Sequence, residues 1–338
     1  MKRYGGLWDQ VTDPVNIELA YNRAAKGKRW QRTVQQVESR KDEALEEVRR
    51  LLVDKEFTTA PYRSKEIYEP KKRTIYILPF FPDRIVQHAV MAVVAPIWDR
   101  MFDPGSHACR PRKGQHTASR AVSQYTRTYR YALQADVRKF YPSVNQDIAM
   151  AIVHKKIKDK NVLWLLDNII RSFPGTHNVP IGNLTSQWLG NLYLNELDRF
   201  VRSEISPAGY ARYNDDFLLF GNDKKDLHQA RLRCRQFLKE ELDLTMAKDR
   251  VYPVREGVDF VGYRHFPGYV LVRKRTARRI RKRIAQLRYE LKTYQVTLEK
   301  ARSVIASTSG WLRWANTKNL REAWGIDILK EAVCAQIQ

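Results

Sequence analysis

The chain has 338 residues, 43 % of them apolar, with 61 Lys and Arg against 37 Asp and Glu for a net charge of +24. That length supports a real core shared by two or three subdomains. The charge argues against an enzyme of small neutral metabolites and for a polyanionic partner, most simply nucleic acid.

Three scattered cysteines, with no Cys/His pairing at ligand spacing, argue against a zinc module or a disulfide framework. No GxxxxGK-Ser/Thr loop or GxSxG elbow occurs. No run of about 18 apolar residues and no signal pattern occurs, so a cytosolic protein without membrane contact is expected.

The N-terminus reads helical. Asp13-Pro14 pairs an N-cap with a first-turn proline, and Val34, Val37, Leu45, Val48, Leu51 and Leu52 recur on a helical face. "YRSKEIYEPKKRTIYILPFFPDR" predicts two strands around a basic turn at Lys71, Lys72 and Arg73. Residues 83–102 predict an apolar helix opening at Asp83. "CRPRKGQH" (109–116) is a basic loop before a helix over 117–129.

"YALQADVRKFYPSV" gives a short apolar strand running into Asp136, and helices fill about 145–172. "VPIGNLTSQWLGNLYLNELDRFV" is a Pro/Gly turn leading into a long helix. In "GYARYNDDFLLFGN" (209–222) two strand-forming runs flank Asn214, Asp215 and Asp216, the pattern of a hairpin. An amphipathic helix over 225–242 and a second hairpin in "GVDFVGYRHFPGYVLVRKR" follow. From about 276 the character changes: Ile280, Ile284, Leu287 and Leu291 repeat at helical spacing, with Arg and Lys on the other face.

Adjacent carboxylates between buried strands repel and need a partner. A hard divalent cation is the obvious one. Asp136, ending its own apolar strand, supplies a third carboxylate. One from a strand and two from a facing hairpin make a minimal cage for two Mg²⁺ ions, for which Mn²⁺ can substitute, in an in-line phosphoryl transfer.

Seven ordered blocks then resemble a reverse transcriptase: "KKRTIYILPFFPDRIVQHAV", "CRPRKG", "ADVRKFYPS", "PIGNLTSQ", "YNDD", "LDLTMAKDR" and "FVGYR". The resemblance covers nearly the whole chain. The fourth block, Ile181 to Gln187, replaces the Gln-Gly-x-x-x-Ser-Pro of retroviral and group II intron enzymes. It is similar to that of the diversity-generating retroelements of bacteria and phages, as are the N-terminal segment and "SGWLRWANTKNL". Asn214 departs from the commoner Met.

The resemblance implies an α+β right-hand polymerase fold with fingers, a ferredoxin-like palm and a three-helix thumb. Its boundaries would be 1–60 for an N-terminal helical extension, 61–130 for fingers, 131–272 for palm with fingers helices inserted around 145–180, and 273–338 for a basic thumb. It implies RNA-directed DNA synthesis giving error-prone, adenine-mutagenic cDNA in a bacterial cell, the gene carried there by phage or plasmid. Alternatives are a group II maturase-like or retron-like enzyme, or a non-catalytic RNA-binding assembly protein.

By the same resemblance, the carbonyl of Val137 joins Asp136, Asp215 and Asp216 at the metals. Arg73 and Arg84 grip the triphosphate of the dNTP. Arg110, Tyr141, Ile181 and Gly182 complete the dNTP pocket, with Tyr141 either a steric gate against the 2′-OH or a core ring. Ile181 removes a polar contact to the nascent pair, which implies low fidelity. Lys71, Lys72, Arg112, Lys113, Ser186, Gln187, Tyr213 and Lys248 would meet nucleic acid. Lys71 and Lys72 are otherwise a solvated turn. Arg278, Arg279, Arg281 and Lys282 would track the cDNA/RNA duplex. Trp311 and Trp314 fill the thumb core or stack on nucleic acid. Implied partners are template RNA and a small helical accessory protein that forms a pentamer.

Overall fold

A computed structural model describes residues 2–68 and 72–335. Four helices open the chain: α1 (Trp8–Thr12), α2 (Pro14–Ala25), α3 (Arg32–Glu38) and α4 (Lys41–Val53). Asp13 caps α2, its carboxylate accepting from the Val15 amide at 2.7 Å. The expected apolar stripe is shared by two helices, with Val34 and Val37 on α3 and Val48 and Leu52 on α4, all buried. Helices α1 and α2 pack on α5 (Ile85–Asp99), which is apolar almost all round and sits in the main core, and α4 packs on α2.

Between them runs the antiparallel pair β1 (Arg63–Ile67) and β2 (Arg73–Ile77), paired from Arg63↔Ile77 to Ile67↔Arg73. Lys71 of the connecting turn lies outside the described residues. A π-helical turn, Phe80–Arg84, leads into α5, so the long helix begins two residues after Asp83. Asp83 itself is buried and accepts from the Ala60 amide at 2.9 Å.

The centre is built from α6 (Gln115–Thr128), β3 (Tyr131–Val137), α7 (Phe140–Ser143), α8 (Gln146–His154), α9 (Lys160–Ile170), α10 (Leu184–Phe200), β4 (Gly209–Tyr213), β5 (Asp216–Gly221), α11 (Lys224–Leu242) and β6 (Met246–Pro253). The four strands form one antiparallel sheet in the order β4-β5-β3-β6. Helices connect β3 to β4 and β5 to β6, which makes the unit ferredoxin-like.

Alternation along each strand sends residues to opposite faces. Leu133, Ala135, Phe217 and Leu219 join the core with α10 and α11, while Ala132, Leu218 and Phe220 meet Ala118 and Val122 of α6. The second expected hairpin is a three-stranded meander: β7 (Val258–Phe260), β8 (Tyr263–Phe266) and β9 (Tyr269–Val272).

The basic C-terminal unit holds α12 (Lys274–Lys292), α13 (Leu298–Leu312), the short α14 (Lys318–Ala323) and α15 (Ile326–Ala335). Leu287, Ala301, Ile305 and Val333 tie its three longer helices together. Among the described residues no helix is long and apolar enough to cross a membrane.

Candidate active site

Asp136, the last but one residue of β3, stands directly opposite Asp216, the first residue of β5. Opposed residues of an antiparallel pair have Cα atoms about 4.5–5.5 Å apart. Asp215 sits with Asn214 in the two-residue turn closed by Tyr213↔Asp216. That turn needs a left-handed residue, and Asn214 supplies it at φ 54°. The Asp215 carbonyl accepts from the Val137 amide at 3.2 Å, binding the turn to β3. On the other side the β3–β6 register slips between Asp136 and Val137, a bulge that bends the sheet edge beside the carboxylates.

The pocket penalises negative charge. Burial first, then the field of Asp136 and, more weakly, Asp215, pushes the Asp216 carboxyl up to about 8, against opposition from Gln134 and Arg273. Burial and Asp136 also raise Asp215, with Arg73 and Arg212 pulling the other way. Asp216 Oδ1 is buried with no hydrogen-bond partner. Among the described residues no three His, Cys, Asp or Glu side chains meet around one point. Strand register holds the backbones of Asp136 and Asp216 side by side. An all-oxygen donor set with an orphaned buried carboxylate oxygen fits a hard divalent cation.

The residues expected at the nucleotide come from two separate segments. The Tyr76 amide on β2 donates to the Ile181 carbonyl at 2.8 Å. Gly182 follows at φ +122°, and a Cβ there would stand 2.5 Å from the Tyr76 carbonyl oxygen, so only glycine fits. Asn183, at the α10 N-terminus, donates to the Tyr62 hydroxyl at 3.0 Å. Ser186 is buried and Gln187 exposed on the first turn of α10.

Tyr141 is half-buried on α7, its carbonyl accepting from the Val179 amide at 3.0 Å. Burial, Cys109 and Asp215 raise its hydroxyl pKa, and Arg212 and Arg73 oppose them. Arg73 is exposed at the start of β2, and its charge lowers both the Tyr141 hydroxyl and the Asp215 carboxyl.

Other expected contacts turn inward. The Arg110 guanidinium is buried against Asp99 at 2.6 Å and donates to the carbonyls of Asp99, Asp103 and Ser106. That leaves no free fork for a nucleotide. Arg84 lines a cavity of about 410 Å³ with Arg40, Arg63 and Phe81, against the N-terminal helices, apart from the carboxylates. Lys113 donates to the Pro104 and Ser106 carbonyls, whereas Lys72 stays exposed in a surface pair with Glu66 at 2.9 Å.

Arg112 is exposed with left-handed backbone, and Tyr213 is half-buried beside the turn. Lys248 is exposed and opposite Asp136 on β6. Arg278, Arg279, Arg281 and Lys282 are exposed along α12. Trp311 stacks on Tyr263 at 4.9 Å within the core, whereas Trp314 stacks on His116 of α6 at 4.5 Å, bridging the basic unit to the sheet unit. Two residues that did not stand out in the sequence, Arg212 and Asp198, form a fully buried ion pair behind the carboxylate turn. Their signal is faint: two charges set among otherwise buried apolar neighbours.

A ferredoxin-like sheet that carries paired carboxylates on adjacent central strands, with a two-stranded basic flap docked on the Ile181–Gly182 segment, defines a nucleic-acid polymerase of the right-hand kind. The family model for reverse transcriptase (RNA-dependent DNA polymerase) matches residues 64–265, more than half of the chain. The chain belongs to that family.

Among curated proteins it is similar to Protein YkfC of Escherichia coli (strain K12), 27 % identical over 302 residues and 75 % of each chain. It also resembles the group II intron-encoded protein LtrA of Lactococcus lactis subsp. cremoris, 26 % identical over 162 residues. That match spans 44 % of this chain and only 26 % of the intron protein. A telomerase from Candida albicans shares the fold, with a TM-score of 0.50 at 10 % identity over 83 % of this chain and 61 % of that one.

Proposed function

We propose that this reverse transcriptase is of the diversity-generating kind, copying a template-repeat RNA into adenine-mutagenic cDNA. The observation that carries the reading is the fourth block. Ile181 stands where group II and retroviral enzymes carry glutamine, next to a Gly182 that packs against the flap strand. An apolar side chain at the forming base pair gives up a polar contact that only a correct pair satisfies, and discrimination falls with it.

Asp136, Asp215 and Asp216, with the Val137 carbonyl, would hold two divalent ions. When bound, these lower the charge barrier to attack by a primer 3′-hydroxyl and steady the departing pyrophosphate. Arg73 answers the triphosphate charge from the flap. The Tyr141 ring excludes a 2′-OH beneath the sugar. The exposed cations of α12 follow the duplex backbone. The proposed division is extension 1–60, fingers 61–130, palm 131–272 and thumb 273–338, with a helical accessory protein as partner.

A maturase-like enzyme is the second reading, favoured by the intron-encoded relative. Purification with co-expressed RNA, followed by cDNA sequencing, tests the two. Substitutions concentrated opposite template adenines support the first. Adenines copied as accurately as the other bases refute it.

A further inference from the structure

Arg212 and Asp198 are both 0 % exposed. Arg212 Nε donates to Asp198 Oδ1 at 2.7 Å and Nη2 to Asp198 Oδ2 at 2.6 Å, a bidentate fork. Its third nitrogen, Nη1, reaches the Asn214 carbonyl at 3.0 Å and Asn191 Oδ1 at 3.2 Å. Asn191 Nδ2 in turn donates to the Ala108 carbonyl at 2.8 Å. The Arg212 backbone bonds the same loop twice, its amide donating to the Gly105 carbonyl at 2.8 Å and its carbonyl accepting from the His107 amide at 2.9 Å. The Tyr210 hydroxyl also donates to Asp198.

Arg212 thus joins three segments: its guanidinium holds the Asn214–Asp215 turn and helix α10, and its backbone holds the loop that leads into Arg110–Lys113. A buried ion pair is a poor device for stability, because desolvation consumes most of its attraction. A planar fork is instead a good device for fixing direction. Asn214 holds the left-handed conformation that the tight turn requires, and the bond to its carbonyl fixes the turn's orientation.

We infer that Arg212, oriented by Asp198 and Asn191, is a positioning residue that sets the carboxylate turn at the register and angle needed for metal-dependent nucleotide addition. The inference rests on the polymerase site placed at Asp136, Asp215 and Asp216. Lysine keeps the charge but has neither fork nor the second arm to Asn214.

The test uses the full chain, primed RNA template, dNTPs and a Mg²⁺ titration. Arg212→Lys lowers kcat by roughly tenfold to a hundredfold, the scale of a misplacement near 1 Å, and raises the Mg²⁺ concentration for half-maximal rate severalfold. Primer–template affinity stays unchanged. The double variant Arg212→Met/Asp198→Leu, which leaves no unpaired buried charge, covers the case in which the lysine variant does not fold. It shows the same Mg²⁺ shift with its melting temperature retained.

A folded variant of either kind with wild-type kcat and Mg²⁺ dependence overturns the inference. Asp216→Asn, run alongside, separates the two failures. If it is inactive while the Arg212 variants are normal, only the positioning role falls. If it too is active, the polymerase site itself is misplaced.

Discussion

Replacing Asp216 with asparagine separates its effect on the fold from its effect on chemistry. The carboxyl is raised from 3.8 to about 8 by burial and by Asp136. In the unfolded chain it ionises near pH 4. Between about pH 4 and pH 8, then, the folded state holds a proton that the unfolded state has released, and stability falls as pH rises. At about 1.4 kcal/mol for each tenfold change in proton affinity, the ceiling is roughly 6 kcal/mol. Relaxation and water entry near a half-buried group bring the expected effect to about 1–3 kcal/mol.

In EDTA, the wild type should lose that much stability relative to Asp216→Asn between pH 5 and pH 8. The comparison cancels all other titrating groups. Millimolar Mg²⁺ should restore wild type at pH 8 by mass action and leave the variant nearly unmoved, while the variant makes no cDNA. Urea unfolding followed by tryptophan fluorescence reads both. Parallel pH profiles for the two proteins, or equal Mg²⁺ stabilisation, would falsify the account of a charge-strained cation site.

Three imidazoles, His107 and His265 buried and His88 half-buried, act with the opposite sign. Burial above all lowers His88, His107 and His265 from 6.5 to about 4. Their contribution is complete above pH 6.5 and lost as pH falls towards 4, by about 1–2 kcal/mol each after allowance for relaxation. His265→Gln should flatten part of that acid slope in urea titrations, and an unaltered slope refutes it. Gly182→Ala forces a Cβ to within 2.5 Å of the Tyr76 carbonyl at positive φ. It should cost about 1–3 kcal/mol and raise the KM for dNTP, so a variant with normal melting temperature and KM contradicts the docked-flap geometry. Neutralising Arg278, Arg279, Arg281 and Lys282 together should reduce the slope of log affinity against log salt for a primer–template duplex by about 3. An unchanged slope would take α12 off the duplex path.

How much the sequence shows depends on how local the cause is. The Asp13 cap, the helix 224–242 and the Asn214 turn follow from neighbours a few residues apart, and the structure has them. Strand β6 was not anticipated: "MAKDRVYP" carries three charges in a row, with no apolar alternation, and becomes a strand by pairing with β3. Arg110 and Arg84 carried the right charge for phosphate. What turns Arg110 inward is Asp99, eleven residues away on another element, while Arg84 donates to the Leu78 carbonyl at 3.4 Å and lines a cavity with residues of α3.

By itself the sequence determined the chemical types: three carboxylates at strand ends, a glycine ahead of a helix, a basic amphipathic tail. Those are choices of side chain and local propensity, readable wherever spacing within one element decides the outcome. Only the tertiary structure decided that residues 80 positions apart, Asp136 and Asp216, face each other in register, and that one buried arginine holds their turn. Register and burial depend on which distant strands pair, and no stretch of chain carries that information alone.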